Sequence, residues 1–278
     1  MVITGASTGI GEATAVRFAT QGWKVFAGVR TRADASKLRE TKGVVPLLLD
    51  VTSESSVREA AEIVDSRLGS DGLDALVNNA GIGTFGPVEF LPLENHEAVF
   101  DVNYFGLIRV TQKFLPALRC RNPGRIINVG SIAGKVALPC YGPYTTSKHA
   151  VEALSDCMRA ELGKSGIKVS LLQPGAVKTP IWDKAFGSID KLMRTMPPEA
   201  AEMYGKDIMK MAELSEESAL KGMAVEDVVD VIEAAMRSSN PKARYPCGKN
   251  VGKIIFFRNL LPDSVFDNMV RRMMNKTK

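Results

Sequence analysis

Tyr144 and Lys148 stand four residues apart, with Ser131 a short way upstream. At that spacing two side chains share one face of a helix, one turn from each other. The residues that follow support a helix: Val151, Leu154, Met158 and Leu162 repeat as an apolar stripe, while Glu152, Asp156, Arg159 and Glu161 fill polar positions. A phenol ordinarily loses its proton near a pKa of about 10. An ammonium beside it favours the phenolate and is expected to lower that value, which suits a proton donor or acceptor near neutral pH. A serine hydroxyl nearby can donate to an oxygen that gains negative charge. The Y-x-x-x-K spacing also arises by chance, so the elements around it decide whether it is chemistry.

Val2-Ile3 ends an apolar strand that runs into Thr4-Gly5-Ala6-Ser7-Thr8-Gly9-Ile10-Gly11, and a helix follows to about Thr20, closed by Gly22. Strand, glycine loop and helix in that order can hold a pyrophosphate: glycine lets the backbone approach closely, and the helix N-terminus offers free N–H groups and partial positive charge. Further apolar strands are expected over Lys24 to Val29, Val44 to Leu49, Ala75 to Val77, Arg125 to Val129 and Ile167 to Leu172, with a last one near Ala243-Arg244-Tyr245. Helices are expected between them, from an N-cap at Ser53 to Leu68 and from Glu94 to Leu118. This alternation implies an α/β, doubly wound Rossmann fold, with a parallel sheet of about seven strands and helices on both faces. Ligands of such sheets bind beyond the carboxyl ends of the strands, and Ser131 lies just past one.

The second strand ends at Arg30, with Arg32 soon after and no acid in Ala27-Gly28-Val29-Arg30-Thr31. An arginine there accommodates a 2′-phosphate, where an acid would bind a ribose hydroxyl; solvated loop charges are the alternative. Asn78 and Asn79 follow an apolar strand, so their amides must find partners. Asn103 lies among apolar neighbours inside a helix, which implies a local kink or a bound water unless the position is at the surface.

The 278 residues carry 45% hydrophobic and 24% charged residues, enough for a sizeable core. The net charge of +5 is scattered, without the basic and aromatic interleaving that nucleic acid requires. Cys120, Cys140, Cys157 and Cys247 contain no C-x-x-C pair, and His96 and His149 are far apart, so no metal site is expected and the thiols read as free. His149, beside Lys148, faces a different way on a helix and reads as a surface or packing residue. No secretory signal or bilayer-spanning run is visible. A cytoplasmic location is expected, although the opening Met-Val-Ile-Thr-Gly leaves room for an upstream anchor or targeting segment.

Residues 1–278 read as a single Rossmann-type domain, with 180–223 a substrate lid insertion and 250–278 a C-terminal extension. The lid is rich in methionine and contains Trp182 and Phe186, which suits an apolar substrate; a plain packed helical pair is the alternative. The extension joins Ile254, Ile255, Phe256, Phe257, Leu260 and Leu261 to Arg271, Arg272 and Lys276. Packing on the lid or on a partner subunit is the preferred reading of that tail, over contact with a membrane surface.

Thr4–Gly11, Asn78-Asn79-Ala80-Gly81, Asn103, Ser131, Tyr144-x-x-x-Lys148 and Pro174-Gly175 together resemble the short-chain dehydrogenase/reductase family, in its order and approximate spacing, over about residues 1 to 180. Beyond that the likeness is looser, towards retinol and hydroxysteroid dehydrogenases. The resemblance implies a catalytic set of Asn103, Ser131, Tyr144 and Lys148. Tyr144 would be the proton donor or acceptor, Lys148 would tune it and hold the nicotinamide ribose, Ser131 would bind the substrate oxygen, and Asn103 would hold a water. It implies NADP(H) as the preferred cofactor, with NAD(H) a substitute, held by Gly5, Ser7, Gly9, Ile10, Gly11, Arg30, Asp50, Val51, Asn78, Ala80, Gly81, Pro174, Gly175, Val177 and Thr179 together with Tyr144 and Lys148. Leu138, Tyr141, Trp182 and Phe186 would join Ser131 and Tyr144 around the substrate. The implied activity is hydride transfer to or from an apolar ketone or secondary alcohol, steroid-, retinoid- or lipid-like, by a homo-oligomer (dimer or tetramer). A non-catalytic NADP(H)-binding regulator is the competing reading, though a sensor needs only the glycine loop.

Overall fold

The computed structural model describes residues 1–181, 193–194 and 196–275. Its centre is a seven-stranded, wholly parallel sheet in the order β3-β2-β1-β4-β5-β6-β7. The strands are β1 Val2–Ile3, β2 Val25–Val29, β3 Val44–Leu48, β4 Ala75–Asn78, β5 Arg125–Val129, β6 Lys168–Pro174 and β7 Arg244–Cys247. The helices are α1 Gly9–Thr20, α2 Arg32–Arg39, α3 Glu54–Leu68, α4 Leu93–Phe100, α5 Gly106–Arg119, α6 Gly142–Leu162, α7 Pro198–Lys221, α8 Val225–Arg237, α9 Val251–Leu260 and α10 Asp263–Met274.

Successive side chains of a strand point to opposite faces, and the core divides accordingly. Ile3, Val25, Ala27, Val77 and Ile127 join Phe18 of α1, Leu38 of α2 and Ile232 of α8 on one side. Val2, Phe26, Leu76 and Ile126 join Val64 of α3, Phe114 of α5 and Val151 of α6 on the other. Both faces are therefore covered, which is why a strand such as β2, Val25-Phe26-Ala27-Gly28-Val29, is apolar throughout. Phe18, Phe26 and Phe114 are fully buried, and each such ring contributes roughly 1.5–3 kcal/mol of burial.

β1 pairs with β2 on one side and β4 on the other, so the chain reverses its direction of travel across the sheet there. A crevice opens at such a switch point, beyond the carboxyl ends of the strands. The helix expected from Glu94 to Leu118 runs as α4 and α5 with a π-helical turn, Asp101–Phe105, between them, so the local distortion expected at Asn103 is present. Ser53 caps α3 as anticipated, accepting from the Ser56 amide. The sequence reading did not anticipate α2: Arg32 opens a helix capped by Thr31, whose hydroxyl accepts from the Asp34 amide. It also did not resolve the C-terminal extension into the two helices α9 and α10.

Candidate active site

The glycine loop joins β1 to α1. Gly5 and Gly9 adopt φ of 64° and 59°, a left-handed backbone that glycine takes without strain. Gly11 has no room for a side chain: a Cβ there would overlap the Gly5 carbonyl oxygen and lie 2.6 Å from Asn79 Nδ2. The Thr8 side chain does not cap α1, so the first-turn N–H groups are not answered by it. Thr179 closes the far side, 3.1 Å from where a Gly9 Cβ would stand. Gly175 donates to the Cys247 carbonyl (2.9 Å), and Val177 forms an isolated bridge with Met223.

Two residues outside the expected set hold this loop. The Thr4 hydroxyl accepts from the amides of Asn79 and Ala80, both at 3.0 Å. The Asn79 side chain donates to the carbonyls of Thr4 and Gly5, also at 3.0 Å. Asn79 was legible as one of two adjacent asparagines needing partners, but nothing in the sequence said which of the pair faced the loop. Asn78 is the other, and its side chain turns away from the loop: its amide donates to Thr111 (3.0 Å) and Asn128 (2.9 Å) within the core. Asn128 passes the chain of bonds to Ser155 of α6 at 2.9 Å. Asp50 fixes the turn after β3, accepting from the amide and hydroxyl of Thr52, with Val51 buried beside it. Arg30 is exposed at the end of β2 and forms no ion pair among the described residues.

α6 starts at Gly142 and carries Tyr144 and Lys148 on one face, as the spacing predicts. The Lys148 amine lies 5.6 Å from the centre of the Tyr144 ring and donates to the Val129 carbonyl at 2.9 Å. A Cβ on Gly81 would stand 3.4 Å from Asn103 Oδ1 and 3.7 Å from the Lys148 amine, which brings the Asn78–Gly81 segment against the same group. Ser131 is buried past β5 and accepts from the Ala133 amide at 3.1 Å. Asn103 is buried in the π-turn. Its oxygen accepts from the Ile82 amide, and its nitrogen donates to the Ile82 carbonyl and the Ser147 hydroxyl. Ser147 in turn donates to the Tyr144 carbonyl at 2.7 Å. Both amide protons are thus used, so the expected water could be held only by the remaining lone pair or the backbone carbonyl of this turn. His149 is exposed, its Nδ1 2.9 Å from the Thr145 carbonyl.

The proton chemistry differs from expectation in one respect. Burial raises the Tyr144 pKa above its usual value, and a hydrogen bond from Ser131 offsets part of the rise. Burial also lowers Lys148 from 10.5 to about 8. Desolvation of the phenol outweighs the Ser131 bond. Tyr144 is therefore held as the neutral phenol in a half-buried position.

Around Tyr144 the surface is apolar. Its ring stacks on Tyr141 at 4.7 Å, and Tyr141 stacks on Phe85 at 4.4 Å. Leu138, Ile208, Met211, Val270 and Met274 pack into the same cluster, drawing α7 and α10 to the site. Cys140, just before this helix, is in the left-handed region at φ 57°, a conformation that a non-glycine residue adopts only when its surroundings impose it. Trp182 and Phe186 lie outside the described residues.

A glycine loop, a helix N-terminus and a serine, tyrosine and lysine at the switch point define a dinucleotide-dependent oxidoreductase site. The short chain dehydrogenase family model matches residues 1–189, and the chain belongs to that family. It is 34% identical to the NADPH-dependent 3-dehydrocapnine reductase of Ornithobacterium rhinotracheale, over 99% of this chain and 97% of that protein. It is 33% identical to mouse retinol dehydrogenase 7, over 96% of this chain and 86% of that protein. A short chain dehydrogenase from Burkholderia cenocepacia, solved in complex with NADP, superposes with a TM-score of 0.71 at 28% identity, covering 99% of this chain and 97% of that one.

Proposed function

We propose that the protein is an NADP(H)-dependent carbonyl reductase and alcohol dehydrogenase acting on an apolar ketone or secondary alcohol, with NAD(H) a weaker substitute. The observation that carries this reading is Tyr144, a phenol kept neutral by burial, beside Ser131 and Lys148 and set in an apolar cluster. The residues of the crevice fit a dinucleotide. Gly5, Gly9 and Gly11 are packed too closely against Ala80, Thr179 and the Gly5 carbonyl to carry side chains, which holds the loop tight at the α1 N-terminus, where a pyrophosphate binds. The exposed Arg30 suits a 2′-phosphate. The NADPH-dependent relative and the NADP-bound neighbour agree with that choice.

The bound nicotinamide would supply or accept the hydride. Gly5, Ser7, Gly9, Ile10 and Gly11 would hold the pyrophosphate and its ribose. Thr179, against Gly9, would meet the carboxamide end, and Lys148 would meet the nicotinamide ribose. The Ser131 and Tyr144 hydroxyls would hold the carbonyl oxygen of the substrate, and negative charge growing there in the transition state is what their donors stabilise. Tyr144 then gives its proton to that oxygen. A phenol that stays protonated through the neutral range is in the state this donation needs. Leu138, Tyr141, Met211 and Met274 would exclude water and favour apolar substrates.

The test is NADPH absorbance against a panel of ketones graded in polarity. Faster oxidation with long-chain or ring ketones than with small polar ones is expected. No turnover with any member, at protein concentrations where NADPH binds, would overturn the proposal.

A further inference from the structure

The two C-terminal helices face in opposite directions. α10 turns Phe266, Val270, Met273 and Met274 inward, and the last three join the cluster that contains Tyr141 and Tyr144. α9 does the reverse. Lys253, Phe256, Phe257 and Leu260 follow the i, i+3, i+4, i+7 spacing of a single helix face, and that face looks into solvent. Phe256 is 62%, Phe257 49% and Leu260 65% exposed. Val251, Ile255 and Arg258 take the inner side. Arg258 pins the helices together, bonding Asp263 at 3.0 Å and lying 5.0 Å from the centre of the Phe266 ring. Val265 and Met269 extend the exposed apolar surface onto α10.

Adjacent exposed phenylalanines on a helix otherwise anchored to the fold imply something that covers them. Charge indicates what. With the Arg258–Asp263 pair set aside, residues 249–275 carry four cations, Lys249, Lys253, Arg271 and Arg272, against the one carboxylate of Asp267. A two-fold contact between copies of this face would bring like charges together. An anionic headgroup layer would neutralise them while the rings enter the acyl boundary. α9 has ten residues, about 15 Å of helix, far less than a bilayer core of about 30 Å. No described helix is long and apolar enough to cross a membrane. The fitting geometry is a helix lying in the plane of the interface.

We propose that the exposed face of α9, with the adjoining flank of α10, is a docking surface for an anionic lipid bilayer, placing the apolar cluster around Tyr144 next to a reservoir of membrane-dissolved ketone. The docking itself is independent of the reading of the active site; only the supply of substrate rests on it.

The experiment is flotation of the full chain with phosphatidylcholine vesicles, with and without phosphatidylglycerol, beside the variant F256S/F257S/L260S. The substituted side chains are exposed and outside the candidate site, so the variant should keep its melting temperature and its turnover of a water-soluble ketone. Expected is flotation with the anionic vesicles, weakened by salt, and binding at least about tenfold weaker in the variant. Flotation equal for both proteins, or none with either vesicle, would overturn the proposal. A wild-type dimer in ultracentrifugation that the variant breaks, without vesicle binding, would also overturn it by assigning the face to self-association. Absence of ketone turnover by the wild-type chain, with its flotation on anionic vesicles observed, would count against the enzyme reading alone.

Discussion

Lys148→Met isolates the electrostatic cost built into the site. The fold lowers the Lys148 pKa from 10.5 to about 8, which corresponds to about 3 kcal/mol of destabilisation while the amine is charged in both states. Below about pH 8 native and unfolded chains both hold the proton, and the full penalty applies. Between about pH 8 and 10.5 the unfolded chain binds a proton that the native chain lacks, so native stability rises with pH; above that range the term vanishes. Methionine removes the charge and leaves the Val129 carbonyl without its donor, at a cost of about 1–3 kcal/mol that does not depend on pH. Near neutrality the two effects oppose, and the variant should be as stable as wild type or slightly more. By about pH 10.5 it should be the less stable protein, the difference having moved by about 3 kcal/mol. Urea denaturation followed by tryptophan fluorescence across that range measures it, and the other lysines cancel in the difference. A difference that stays constant from neutral pH upward would refute the claim that the fold desolvates this ammonium.

Gly11→Ala should weaken NADPH binding at least about tenfold and lower the melting temperature, since the added methyl must displace the Gly5 backbone and the Asn79 amide; fluorescence titration and a thermal melt report each effect. Arg30→Ala should lower kcat/KM for NADPH by roughly 10- to 100-fold while leaving NADH little changed, as loss of a charge-assisted contact to a 2′-phosphate requires. The Cys140 thiol is pushed up to about 11 by burial and by the charge of Asp207, so iodoacetamide near neutral pH should label the exposed Cys120 and Cys157 first, as read by peptide mass mapping.

The parallel sheet was legible because both faces of its strands are covered, which leaves apolar runs such as Val25 to Val29 bounded by turns. The α6 pair was legible because a four-residue spacing fixes side chains relative to each other without tertiary information. The division of labour between Asn78 and Asn79 was not, since it depends on which face of β4 each side chain leaves. The direction of the Tyr144 shift was also hidden: sequence shows the neighbouring ammonium, but only the fold shows how deeply both groups are buried. α2 was missed because Arg32 to Arg39 carries just two buried residues, Ala35 and Leu38, too few to set a period. The C-terminal helices were obscured for a different reason. α9 places its apolar stripe outward, so its hydrophobic pattern does not mark the core.

The most direct test compares Tyr144→Phe with wild type in NADPH-dependent ketone reduction, alongside NADPH affinity measured by fluorescence titration. Removing one hydroxyl should reduce turnover by at least about a thousandfold while affinity changes by less than about threefold, because the phenol donates the proton and the glycine loop holds the dinucleotide. Substantial turnover by the purified variant would contradict the assignment of Tyr144 as the proton donor.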